Sequence, residues 1–204
     1  MKKLMSLILV LLCLFSLVSC DEKVVNSGSC GENAKWSFYE SNTLVISGNG
    51  DMKEYYDSVW YQSANVIIPW HFYSQQSNKI VVEEGVTSIC AFAFLDAKLC
   101  TEIEIAKSVT YIGHCAFEHM NNLDYIILNK SIKKLGSMVF HSGSYNVYYE
   151  GSMVDFNNIE IVSNSGYTWD SEFYGTLYFY SETKPVESGY YWHYSSDNIP
   201  VIWQ

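Results

Sequence analysis

The chain has 204 residues and carries 22 acidic side chains against 12 basic ones, for a net charge of −10; every basic residue is a lysine. A strongly acidic chain without arginine lacks the bidentate donors used against phosphate and guanine, which argues against nucleic acid and acidic lipid headgroups as partners. With 17 tyrosines and only 3 prolines, the composition favours strands over linkers.

At the start, Lys2 and Lys3 precede an apolar run from Leu4 to Val18. A short positive region followed by a brief apolar one reads as a secretory signal, too short to span a membrane as a helix. The run closes in Leu17-Val18-Ser19-Cys20, which resembles a bacterial lipobox. That likeness implies cleavage before Cys20 and lipidation of its thiol; an ordinary cleaved signal with an incidental cysteine is the alternative. Acyl chains would anchor the protein rather than thread it, at about 0.8 kcal/mol per buried CH₂. Loss of the two signal lysines takes the formal charge from −10 to −12. The remaining ~185 residues suffice for one domain with a sizeable core.

Residues 20–29 are small, polar and charged, and read as a tether. In the next segment, 30–79, two alternating apolar runs, Trp36/Phe38 and Leu44/Ile46, flank a polar turn at 40–42, the pattern of a β-hairpin. The following Gly48-Asn49-Gly50-Asp51 is read as a turn. No lysine and helix follow it as a P-loop requires, and no second acid returns at EF-hand spacing. An aromatic-rich link with Trp60, Tyr61, Trp70 and Phe72 leads on to Ile80.

From Ile80 to Asn146 one sentence is written three times, in rows beginning at Ile80, Ile103 and Ile126. The first two rows have 23 residues, and the third ends about two residues short. Apolar residues recur in columns: Ile80/Ile103/Ile126, Val82/Ile105/Leu128, Val86/Val109/Ile132, Ile89/Ile112/Leu135 and Phe94/Phe117/Phe140. Such columns predict a solenoid in which each repeat buries its apolar residues against the next. Gly113 and Gly136 suit corners where the backbone turns tightly or takes a positive φ.

Cys100-x-x-Ile103-x-Ile105 and Leu123-x-x-Ile126-x-Leu128 fit the strand motif of leucine-rich repeats. The row Ile103-Glu-Ile-Ala-Lys-Ser-Val-Thr-Tyr-Ile-Gly-His-Cys-Ala-Phe117 resembles the BspA-like leucine-rich repeats of bacterial surface proteins. Ala106 replaces that family's usual proline, Cys90 stands for the glycine in the first row, and Val139 for the alanine in the third. The resemblance reaches back to Cys30-Gly31-Glu32-Asn33 and Trp36, and to Gly48–Met52, which look like the family's N-terminal cap. It reaches forward through Val147-Tyr-Tyr-Glu-Gly151 and Leu177–Ser181 to Tyr190–His193 and Pro200–Trp203, similar to its terminal strands. It implies a β-rich solenoid: repeats over 80–162, a hairpin cap before them, and an aromatic β cap over 163–204.

Candidate chemistry is sparse. Cys100 takes a leucine column, where a thiol acts as a small hydrophobe. Cys90 and Cys115 lie in neighbouring repeats and would pair only if their Cβ vectors converge, which spacing leaves open. There is no C-x-x-C, HExxH or G-x-S-x-G. His114 and His119 are five apart rather than four, and their place in the repeat reads as outer loop, so these are expected to be solvated surface groups. Glu83 and Glu84, adjacent on a strand, would point to opposite faces and so would not cooperate. Nothing here argues for an enzyme, a cofactor or a metal.

The working face is expected to be the open strand face, formed by Val81 and Glu83, Glu102 and Glu104, Tyr125 and Ile127, then Tyr148 and Glu150. An acidic patch beside exposed aromatic and aliphatic residues suits a protein partner. Cross-strand packing of Ile127 on Tyr148 is the structural alternative. The expected function is protein binding or adhesion by a lipid-anchored surface protein; the resemblance implies a host or neighbouring-cell surface protein as partner. The other functional reading is a carbohydrate-binding surface protein that stacks sugars on exposed aromatics.

Overall fold

A computed structural model describes residues 22–55, 68–163 and 166–204. The signal, Cys20 and the Trp60-Tyr61 pair lie outside these residues.

The described residues begin with three antiparallel strands: β1 (Val24–Ser29), β2 (Asn33–Tyr39) and β3 (Thr43–Asp51). The hairpin expected around residues 40–42 is β2–β3, with Trp36 opposite Ile46 and Phe38 opposite Leu44. The stretch expected to be a tether carries β1. This edge strand is exposed along nearly its whole length, so its residues show no burial pattern that would mark a strand. The GNGD segment is likewise not a turn. Gly48 and Gly50 take φ of +103° and +89° within β3, and Asp51 is still in that strand. The bend they allow lets the start of β3 pair with β4 (Lys79–Val82) and its end with β5 (Val86–Ile89).

From β3 onward the chain climbs two parallel ladders. One runs β3-β4-β6 (Glu102–Ile105); the other runs β3-β5-β7 (Tyr111–Ile112), then β9 (Lys134–Gly136) and β11 (Glu160–Val162). The register is the repeat itself: Lys79 pairs with Glu102, Val82 with Ile105, Ile89 with Ile112 and Ile112 with Leu135. Between these strands in the chain lie β8 (Tyr125–Leu128) and β10 (Asn146–Tyr149), which pair with Tyr125 opposite Asn146. This offset is two residues shorter than in the earlier rows, as the short third row requires. A second sheet continues β8-β10-β12 (Leu177–Tyr180), then β13 (Tyr191–Tyr194) and the antiparallel β14 (Pro200–Ile202). No strand hydrogen bonds join β6 to β8; the Asn129 amide crosses there instead, donating to Ala106 O at 3.0 Å. Ile103 and Ile105 are only half-buried at that break, unlike their column mates.

Among the described residues there are also two short helices, α1 (His71–Ser74) and α2 (Met153–Asn157). Ser152 and Asp155 cap α2 reciprocally, each backbone N–H meeting the other's side chain. Ahead of α1, the fully buried Trp70 donates its indole N–H to Ala93 O at 2.8 Å and ties the segment around α1 to the first repeat.

Outer loops join the ladders, and their backbones bond from repeat to repeat. Phe94 N–H donates to Ala116 O (3.0 Å), Phe117 N–H to Val139 O (3.0 Å), and His119 N–H to His141 O (3.1 Å). Inside these loops Phe94, Phe117 and Phe140 are fully buried and stacked, with centroids 5.9 and 6.0 Å apart and planes within 17° and 8°. Gly113 and Gly136 serve close approach rather than positive φ. A Cβ on Gly113 would lie 2.4 Å from Ala91 N, and one on Gly136 would lie 2.4 Å from His114 N.

The four cysteines among the described residues are free and buried. Burial pushes the Cys30 thiol up to about 12 and that of Cys100 up to about 11; it also raises Cys90 and Cys115. They pack as small neutral hydrophobes, and Cys90 and Cys115 are unpaired with each other.

Neither His114 nor His119 is the fully solvated group expected: both are half-buried, the His119 side chain being 33% exposed. His114 Nδ1 lies 2.7 Å from Ser137 O. The His141 side chain is 15% exposed and lies between the carboxylates of Glu118 and Glu172. Glu83 and Glu84, for their part, follow β4 in a turn rather than sharing a strand.

The Phe stack predicts a sharp contrast in stability. Phe117→Ala should cost about 3–5 kcal/mol, because it opens a cavity between two rings that cannot close without breaking the repeat register. Substitution of the exposed Asn122 by Ala should stay within roughly ±0.5 kcal/mol. Urea melts of the two variants measure the difference.

Candidate functional site

The face predicted from strand alternation divides into two unlike halves. On the acidic half, Glu102 and Glu104 of β6 project from the sheet with side chains more than half exposed. Lys79 on β4 reaches both, its Nζ 2.7 Å from Glu102 Oε1 and 2.6 Å from Glu104 Oε1. Partial burial pulls the lysine pKa down, yet the two carboxylates outweigh it and hold the ammonium above its ordinary value. Exposed pairs of this kind contribute only about 0–1 kcal/mol to folding, so the carboxylates remain available to a partner at little cost in stability. Val81 and Glu83 border this half and are half-buried.

On the aromatic half, Tyr125 of β8 is 40% exposed and Ile127 is half-buried, in register with Tyr148 of β10. The cross-strand pairing of Ile127 with Tyr148 is therefore present. Tyr148 itself is not exposed as expected: it is 6% accessible. Three rings cover it, those of Tyr125 at 5.5 Å, Tyr178 at 5.3 Å and Trp192 at 5.3 Å. Trp192 comes from β13, 44 residues beyond Tyr148, and its indole N–H donates to Tyr149 O at 2.9 Å. Glu150 is half-buried rather than open and accepts a 2.8 Å hydrogen bond from the Tyr194 hydroxyl. Burial, then the Glu150 hydrogen bond and charge, raise the Tyr194 pKa, so the phenol stays a donor.

Of the predicted residues, Glu102, Glu104 and Tyr125 are thus displayed, Ile127 and Glu150 are partly displayed, and Tyr148 is a buttress. Sequence reasoning missed Tyr178, half-buried, and Tyr190, 64% exposed, which extend the aromatic half through a 5.7 Å edge contact. The alternation Leu177-Tyr178-Phe179-Tyr180 could have revealed Tyr178, since it sets Phe179 inward and the tyrosines outward.

The cavities here are shallow. Lys107, Lys130, Glu150, Tyr180 and Tyr194 line a depression of about 160 Å³, below the ~300 Å³ at which small-molecule pockets begin. An open groove of about 480 Å³ nearby presents Lys130, Lys133 and Asp155 over Tyr149 and Ile159. A flat face with carboxylates at one end and ring edges at the other suits an extended surface better than an engulfed ligand.

Residues 65–158 match the BspA type leucine rich repeat region, in six copies. A crystal structure of a leucine-rich repeat protein from Eubacterium ventriosum has a similar fold, with a TM-score of 0.55 and 18% identity. The match covers 87% of this chain and 48% of the other, so the chain spans about half the length of that protein. This is a β-rich repeat protein with a leucine-rich-repeat type of fold. No curated protein matches the chain.

The Tyr194–Glu150 bond generates a test of the aromatic half. Tyr194→Phe should cost about 1–2 kcal/mol in a urea melt, the value of a bond to a charged acceptor reduced by partial exposure. Tyr190→Phe, at an exposed ring, should leave the midpoint unchanged within error.

Proposed function

We propose that the chain is a lipid-anchored, BspA-like surface protein that binds a protein partner through its two-part strand face. In this reading the repeats form a solenoid, the β1–β3 segment and the β12–β14 segment cap its ends, and acyl chains on Cys20 hold it at the bacterial envelope. The capping role is supported by physical need, because an uncovered first or last repeat would expose an apolar end and a strand edge. The observation that carries the binding role is the juxtaposition of displayed carboxylates, Glu102 and Glu104, with displayed Tyr125 and Tyr190. Aromatic anchors beside charge recur at protein interfaces. Adhesion to a host or neighbouring-cell surface protein is the role this face would serve.

Glycan binding fits less well. Sugar stacking calls for ring faces laid open in a row, whereas the Tyr125, Tyr148 and Tyr178 planes tilt by 55° and 44° to one another and the central ring is buried.

A parallel array of matrix proteins, bacterial surface proteins and glycans separates the readings. The expected result is a protein ligand whose affinity falls about tenfold or more, at least 1.4 kcal/mol, on Glu104→Lys or Tyr125→Ala, with melting curves unchanged. A glycan ligand with no protein ligand, or a protein ligand indifferent to both substitutions, would refute the assignment of this face.

A further inference from the structure

The outer loops, which follow the strands of the second ladder, assemble a cluster that no reading of the strand face uses. Residues 23 apart become neighbours there, so the pair Glu118-His119 of one repeat meets His141-Ser142 of the next, and Asp96 of the preceding one. The backbone is fixed at these points. Asp96, His119, Ser142 and Glu172 all take left-handed φ, between 56° and 60°. Asp96 N–H donates to Glu118 O, His119 N–H to His141 O, and Ser142 N–H to Glu172 O, at 3.0, 3.1 and 3.0 Å. Each side chain therefore leaves its loop from a defined place.

One donor atom from each of Glu118, His119 and His141 lies within 4.8 Å of the other two. Glu118 Oε1 is 2.8 Å from His141 Nδ1 and 3.8 Å from His119 Nε2. In a tetrahedral zinc site, bonds of about 2.0–2.1 Å set donor atoms roughly 3.3 Å apart. The observed spacings straddle that value, so side-chain shifts below an ångström would close the site. Carboxylates also lie near the far ring nitrogens. His119 Nδ1 lies 3.2 Å from Asp96 Oδ1, and His141 Nε2 lies 2.9 Å from Glu172 Oε2. A carboxylate on the remote nitrogen of each imidazole is the arrangement that orients metal-ligating histidines and sets their tautomer. His141 has it through Glu172; His119 Nδ1 and Asp96 Oδ1 are close but not aligned for a hydrogen bond, and Asp96 Oδ1 pairs with Lys98 Nζ at 2.8 Å.

We propose that Glu118, His119 and His141 form a binding site for a divalent first-row transition cation of the zinc class, with Glu172 as the carboxylate that orients His141. Two imidazoles and one carboxylate suit zinc and its neighbours. Calcium and magnesium, which need six or more oxygens, are poorly served. The Glu118 side chain is 1% exposed, and a cation beside it offsets the cost of burying that charge. The His119 side chain, 33% exposed, leaves one side of the site facing solvent for entry and for a water as fourth ligand. A bound ion would tie together the outer loops of two successive repeats, whatever the strand face binds.

The test uses the full chain in detergent, stripped with chelator, with zinc chloride added under calorimetry and in thermal melts at neutral pH. The expected result is one zinc per chain, and a rise in Tm of about 5–10 °C at a hundredfold excess over Kd. His119→Gln and His141→Gln should each weaken binding by a hundredfold or more, and Glu172→Gln by tenfold to a hundredfold. Cobalt in place of zinc should give the visible absorption of a tetrahedral site, a signature that a purely structural role for these residues would not produce. His71→Gln, distant in sequence and in α1, should bind as the parent does. Absence of zinc binding by the folded parent chain would overturn the proposal. So would binding unchanged by the His119 and His141 substitutions, or calcium binding with equal strength.

Discussion

Every buried group in the repeats must meet its own counterpart one repeat further on. Once the outer loop of one repeat donates its N–H groups to the carbonyls of the next, at Phe94, Phe117 and their neighbours, the vertical spacing is set by hydrogen bonds. Side chains then have to be compatible with copies of themselves at that spacing. Phenylalanine rings satisfy the condition by stacking nearly parallel, and Gly113 and Gly136 satisfy it by having no side chain where backbones come within contact distance. The same condition brings Glu118 beside His141 and Tyr125 beside Tyr148, residues that look unrelated along the chain.

This explains what could be read in advance and what could not. The columns were legible because the period is short and the buried members are chemically alike; their strand registers follow the row length, including the two residues missing from the third row. Tyr148 was misjudged because alternation gives the face on which a side chain lies but not what arrives to cover it. Here the cover is Trp192, delivered by a strand far along the chain. The β1 strand escaped notice because an edge exposed on both sides leaves no apolar pattern. The histidines were misread because they were compared at helical spacing, four or five apart. In this fold the significant separation is 23, at which Glu118 and His141 are one position removed from Asp96 and His119.

The two sides of the repeats divide the work. The strand side displays charge and rings with little energetic commitment, since Lys79 and its two glutamates form an exposed network that contributes little to folding. The outer-loop side is committed, with buried rings, left-handed residues and a carboxylate held between histidines. Variation on the first side would change what is bound, and variation on the second would change whether the repeats hold together.

Nearest-neighbour stacking of the rows is the claim on which the rest depends, and a double-mutant cycle measures it most directly. Phe94, Phe117 and Phe140 are replaced by leucine singly and in pairs, and unfolding free energies are compared. Stacking predicts a coupling of about 0.5–1.5 kcal/mol between Phe94 and Phe117 and between Phe117 and Phe140, with none resolvable between Phe94 and Phe140. Equal coupling for all three pairs, or coupling confined to Phe94 and Phe140, would contradict the order in which the repeats are stacked.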